Sequence, residues 1–366
     1  MRKAVFMLIM CCALAWLTAL TALCADVGES QARALKLDKL EESAPPAAGE
    51  ALGKMSVMDS LKPEGHIEKL LAAASSSLRE IASQSLKSVT ALIAAAALCG
   101  AAGAAFGDHG SKYAELAAVL AVSAVSVGGV RSFIGMGAKT LDDLDAFAKI
   151  LIPTLTAAAA GGGAVASSAA KYAATMMFVN ISVSLSKNVV MPLIYAYTAV
   201  SVADAAVGGG ALRGVAELSR WLAKTVMTVS TLAFVAYLTL VGAASGPGDE
   251  LAMRAAKTAI SALPVVGGIA ADAASAVVSG AAMLRNAIGI FGALTVAGIC
   301  VLPFLRLGVH YLLFKAAGGL SGAFAGGRVS GLIVDIGAAF GMTLGMTGAA
   351  AVMIFISIIS MTKAVV

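Results

Sequence analysis

Apolar positions in this chain come in long runs with few charges, and the pattern is not that of one buried face per element. Val89–Phe106, Ala114–Val130, Thr225–Ala243, Ala287–Leu305, Val309–Ala325 and Ile336–Met361 hold only Glu115 and Lys315 between them. About 20 such residues cross the roughly 30 Å hydrocarbon core of a bilayer as a helix. The runs therefore predict an all-α, polytopic transmembrane bundle. The last run is long enough to cross with tilt. It carries Gly337, Gly341, Gly345 and Ala349 at four-residue spacing, a small-residue ridge that lets helix backbones pack closely.

Two apolar stretches are broken. Leu151–Ala170 contains Pro153 and Gly161-Gly162-Gly163, and Arg254–Asn286 contains Pro264, Gly267-Gly268 and Asp272. Irregular backbone at membrane depth survives only inside protein or beside a water-filled cavity. These stretches predict two Pro/Gly-broken or re-entrant segments, with Pro264, Gly267, Gly268 and Asp272 buried inside the bundle. An ordinary helix starting at Pro264 is the competing reading. Asp272 reads either as a polar-path residue or as a helix cap, with Lys187, Arg285 and Arg306 as possible counter-ions. Tyr172–Ala203 is interrupted by Lys187-Asn188 and Pro192. Lys187 either faces the bundle interior or ends a short span and snorkels.

The amino-terminal part differs. Residues 1–25 have a basic start, an apolar core and small residues near Cys24-Ala25, the pattern of a secretory signal peptide. Residues 26–87 hold ten of the 21 acidic residues. Ala44-Pro45-Pro46-Ala47 marks a mobile linker, and from Pro63 onward Ile67, Leu70, Leu71, Ala74, Leu78 and Ile81 recur at helical spacing. The reading is a polar extracytoplasmic linker followed by an amphipathic helix, with the membrane domain over 88–366. Within that domain, residues 107–112 and 244–253 read as loops, and 131–149 and 204–224 as amphipathic connectors. Pro153 and Pro192 recur as Pro264 and Pro303 at one common offset, which suggests an internal repeat of 112–203 with 223–314.

Composition agrees. The chain has 366 residues, 59% hydrophobic and 13% charged, well under the roughly 25% charge of soluble domains. Basic residues form no stripe interleaved with aromatics, so nothing indicates nucleic-acid binding. The five cysteines have neither metal-site nor disulfide spacing. No phosphate-binding Gly-x-x-x-x-Gly-Lys, His-Glu-x-x-His or Gly-x-Ser-x-Gly run occurs. Gly246-Pro247-Gly248-Asp249 is similar to the Gly-x-Gly-Asp signature of intramembrane aspartyl proteases, but it falls in a predicted polar loop, and Asp335 has no motif to support it as a partner. The sequence reads as that of a non-enzyme with no cofactor or metal site.

Arg254-x-x-Lys257, Leu263-Pro264-Val265-Val266-Gly267-Gly268, Asp272 and Leu284-Arg285-Asn286-Ala287-Ile288-Gly289 form one characteristic block. Ser186-Lys187-Asn188-Val189-Val190-Met191-Pro192-Leu193-Ile194 and Leu302-Pro303-Phe304-Leu305 form two more. In these blocks the chain resembles the stage III sporulation protein AE family over most of residues 90–366. The resemblance implies a multi-pass protein of the mother-cell membrane around the forespore. It implies partners in a channel or secretion-like complex, including an ATPase, ring-forming membrane proteins and a forespore-side protein. It implies no catalytic residues. The candidate polar-path or core residues are Lys187, Asn188, Pro192, Pro264, Gly267, Gly268, Asp272, Arg285 and Asn286. The alternative is a secondary transporter with its site between the paired broken segments, and a third reading is a structural anchor.

Overall fold

The computed structural model describes residues 30–261 and 267–362. The regular elements among them are helical. They are α1 (Leu37–Glu42), α2 (Pro46–Leu52), a short 3-10 turn (Asp59–Leu61), α3 (Glu64–Gly161), α4 (Val165–Leu185), a π-helical turn (Ser186–Val190), α5 (Met191–Val207), α6 (Arg213–Ser261), α7 (Gly267–Ser321) and α8 (Gly327–Thr362). Six stretches of the described residues are long and apolar enough to cross a membrane: Glu64–Ala102, Tyr113–Gly161, Val165–Val207, Arg213–Val241, Val277–Ser321 and Gly327–Thr362.

Straight, the 98 residues of α3 would measure about 147 Å at 1.5 Å per residue. Contacts show that the helix doubles back instead. Ser85 hydrogen-bonds the His310 ring, and Phe133 packs on that same ring with centroids 4.2 Å apart. Gly100 abuts the backbone of Phe324, while Glu115 pairs with Arg328 at 3.7 Å. The two arms of α3 are thus antiparallel neighbours, reversing between Gly100 and Glu115.

The long helices then alternate in direction. One end of the bundle, the Gly162 end, gathers the α3–α4 turn, Ala281 of α7 and Ser360 of α8. The other, the Gly210 end, gathers the bend of α3, the α5–α6 turn and Arg328 at the start of α8. Glycines make the turns: Gly163 has φ 95°, and Gly208, Gly209 and Gly210 have φ 72°, 96° and 72°, which a Cβ would strain. α8 is the central helix and touches α3, α4, α5, α6 and α7. Its glycine ridge lies against α7 and α6. A Cβ on Gly337 would sit 3.0 Å from the Phe314 Cβ, one on Gly341 2.9 Å from the Tyr311 ring, and one on Gly345 3.8 Å from Met227. The buried hydroxyls of Thr343, Thr347 and Ser357 donate to carbonyls one turn back. Thr175 of α4 also bonds Ser357 across the helix interface at 3.0 Å.

Several expectations change. Residues 37–61 are folded and do not form a mobile linker. Leu37, Leu40, Ala48 and Leu52 are buried, and Ala48 and Leu52 lie over Gly298 of α7. The helix from Glu64 runs without a break into the first predicted span. Residues 131–149 are part of α3, and 244–253 are helical within α6, so neither is a separate connector or loop. Pro153 and Pro303 sit inside α3 and α7. The two runs 287–305 and 309–325 therefore belong to one helix plus the α7–α8 turn. The break at Gly161–Gly163 is a turn at the bundle end and not a re-entrant hairpin. The Lys187 interruption is a π-helical turn, an extra residue inserted into an otherwise continuous helix. Pro192 follows it in the first turn of α5, where its missing N–H costs little.

Candidate functional site

Two groups of charged residues stand out inside this apolar bundle. The first is a belt at mid-height on the second arm of α3. Helical spacing puts Leu141, Leu144, Phe147 and Ala148 wholly inside, and leaves Asp142 and Lys149 exposed. Lys187 reaches across from the π-helical turn and pairs with Asp142, and Lys149 pairs with Asp145 at 2.6 Å. Beside the belt is a groove of about 170 Å³ where Glu50 of α2, Lys139 and Asp143 of α3, and Arg306 of α7 meet around Pro303. Gly137, just before the belt, lies against Thr343 and Met346 of α8. The belt is therefore level with the uncharged run of α8.

The second group lies at the Gly162 end. The α4 helix starts at Val165 with no side-chain cap from its own residue Ala164. Asp249 of α6 supplies one: its two carboxylate oxygens accept the Ala166 and Ser167 amides, each at 2.9 Å. Burial pushes the Asp249 carboxyl upward. Hydrogen bonds from Ser167 and Ala166 and the charge of Lys171 outweigh it, so the net shift is below the usual carboxylate value. Lys171, buried, donates to the Ser360 carbonyl of α8 at 2.9 Å, one of the carbonyls a helix end leaves without an intrahelical partner. Arg285 of α7 is 4% exposed, and its Nε and Nη1 have no hydrogen-bond partner. An unpaired buried charge costs several kcal/mol.

The sequence-derived site residues are spread out. Arg285 is buried at the Gly162 end, while Asn286 beside it is exposed. Lys187 is half-exposed at mid-height. Asn188 and Pro192 are exposed, and Asn188 donates to Ser184 at 3.1 Å. These three therefore belong to the surface and not to a buried path. Gly267 and Gly268 open α7, while Pro264 and the side chain of Asp272 lie outside the described residues. Lys171 and the capping role of Asp249 were not anticipated. A lone lysine within the apolar run of α4 was the available signal. Asp335 bonds the Tyr197 hydroxyl at 2.9 Å. It is 25 positions along α8 from Ser360, about 38 Å, so Asp249 and Asp335 do not form a catalytic pair.

The sequence model of stage III sporulation protein AE matches residues 52–364. The chain belongs to that family. The match takes in every long helix and the whole of both charged groups, and leaves α1 and nearly all of α2 outside it. The stage III sporulation protein AE of Bacillus subtilis (strain 168) is 24% identical over 197 residues, covering 54% of this chain and 49% of the relative. The aligned part thus spans about half the length of that relative. No solved structure matches. Family membership and the six apolar stretches together describe a multi-pass membrane protein of sporulation.

Proposed function

We propose that this protein is an integral component of a channel or secretion-like complex between mother cell and forespore. It sits in the mother-cell membrane and works beside an ATPase and ring-forming membrane proteins. Family membership supports the sporulation role. The observation that carries the assembly reading is the exposed Lys139–Lys149 belt, level with the run of α8 that holds no charge. Charged side chains at that depth are costly against lipid and suit a protein neighbour or a water-filled lumen. Leu232 and Leu240 of α6 and Ile359 of α8 are exposed apolar side chains. Exposed charges together with exposed apolar surface are what a subunit placed between lipid and an assembly needs.

The groove at Pro303 supports a second reading, a permease that binds a small solute between Glu50, Lys139, Asp143 and Arg306. One experiment separates the two. In the native host, deletion of the gene should block spore formation without slowing vegetative growth. Asp142→Lys should then lose co-purification with the other complex members, whereas Asp143→Asn, inside the groove, should keep it. Normal sporulation after deletion would overturn the sporulation role. Loss of forespore development in Asp143→Asn with assembly intact would favour the permease.

A further inference from the structure

We propose that Arg285 and Lys171 form a binding site for a phosphate group at the Gly162 end of the bundle. Among the described residues the charges around Arg285 do not balance. Lys171 and Arg285 are 7% and 4% exposed, and Asp249, 8% exposed, is the acidic group that accompanies them. Both Asp249 oxygens are taken by the Ala166 and Ser167 amides. Nothing among the described residues bonds the Nε and Nη1 of Arg285.

The free donors suit a multi-oxygen anion. A guanidinium offers a planar fork that fits phosphate in two-point fashion. Lys171 has three donors and one is committed to Ser360. The place also suits a lipid headgroup. The uncharged runs of α7 and α8 both stop here, at Asn286 and near Thr362, and the site lies between helices α4, α6, α7 and α8. Basic pockets between membrane helices are established headgroup sites. The ligand class is thus a phosphate carried by an anionic phospholipid or free in solution.

The test uses the full chain in neutral detergent. Its thermal midpoint is followed during titration with phosphatidylglycerol, inorganic phosphate or, as a phosphate-free control, diacylglycerol. Phosphatidylglycerol is expected to raise the midpoint and diacylglycerol to leave it unchanged. In Arg285→Gln the apparent affinity should fall about tenfold or more, because the charge-assisted bonds are gone, while Arg285→Lys retains part of the response. A response to inorganic phosphate equal to that for the lipid assigns the site to a free anion. Ligand-free Arg285→Gln should melt at or above the wild-type temperature, since an uncompensated buried charge has been removed. The proposal would be overturned by no wild-type response to either phosphate source, or by a response undiminished in Arg285→Gln. A ligand-free Arg285→Gln that unfolds well below wild type would do so too, because Arg285 would then have an internal partner.

Discussion

Asp249 accepts the Ser167 amide at 2.9 Å and so caps α4 from a helix 82 residues further along the chain. The link ties α6 to the start of α4 at the bundle end. Asp249→Ala should destabilise the protein by about 1–2 kcal/mol, the usual loss on removing a helix cap. Its carboxyl lies below the ordinary value when folded, so the folded state binds the proton less tightly than the unfolded one. The stabilisation is complete above the unfolded value of about pH 4 and is lost as pH falls through the folded value. Thermal melts of wild type and Asp249→Ala should therefore differ at pH 7 and converge in acid. A constant gap across that range would show that the carboxylate is not the cap.

The Lys187–Asp142 pair is partly exposed, with side chains 35% and 58% accessible. Such pairs contribute about 0–1 kcal/mol. Lys187→Ala in the isolated protein should accordingly shift stability by less than about 1 kcal/mol. In the host the same change should weaken assembly, and a Lys187→Asp/Asp142→Lys double exchange should restore it if pairing across the two helices is what the partner reads. Full assembly in both single variants would remove the belt from the interface.

Glycines of the bundle should respond unequally to alanine. A Cβ on Gly100 would run into the Phe324 carbonyl, and backbone cannot swing aside. Gly100→Ala is expected to cost about 1–3 kcal/mol, as overpacking does. Gly345→Ala meets nothing nearer than Met227 at 3.8 Å and should be neutral, or stabilising by up to about 1 kcal/mol through helix propensity. Chemical denaturation in mild detergent would rank them, and equal effects would contradict the packing described.

Tyr197, 2% exposed, donates to Asp335 at 2.9 Å and joins α5 to α8 near the Gly210 end. Tyr197→Phe keeps the ring and loses the bond. Hydrogen bonds to charged groups contribute about 1.5–3 kcal/mol, so a loss of stability of that scale, read as a lower melting temperature, should follow. An unchanged melt would mean that water replaces the hydroxyl without loss.

What was legible in the sequence was local. Charge-poor runs specify membrane-crossing helices because a bilayer rewards them whatever their neighbours are. Gly161–Gly163 was legible as a break, but that it is a turn at the bundle end, with Gly163 at positive φ, was not, and the turn at Gly208–Gly210 fell unmarked inside a predicted connector. Prolines misled at Pro153, Pro247 and Pro303, where the helix continues through them. In a packed bundle, neighbouring helices and adjusted hydrogen bonds compensate the one donor a proline removes. The sequence left Lys187 either facing the interior or snorkelling, and Asp142, 45 residues away, holds it at the surface. The convergence of Lys171, Asp249 and Arg285 was invisible for the same reason. These residues stand in three different helices, and only the tertiary packing that places three helices side by side makes two buried cations and one carboxylate neighbours.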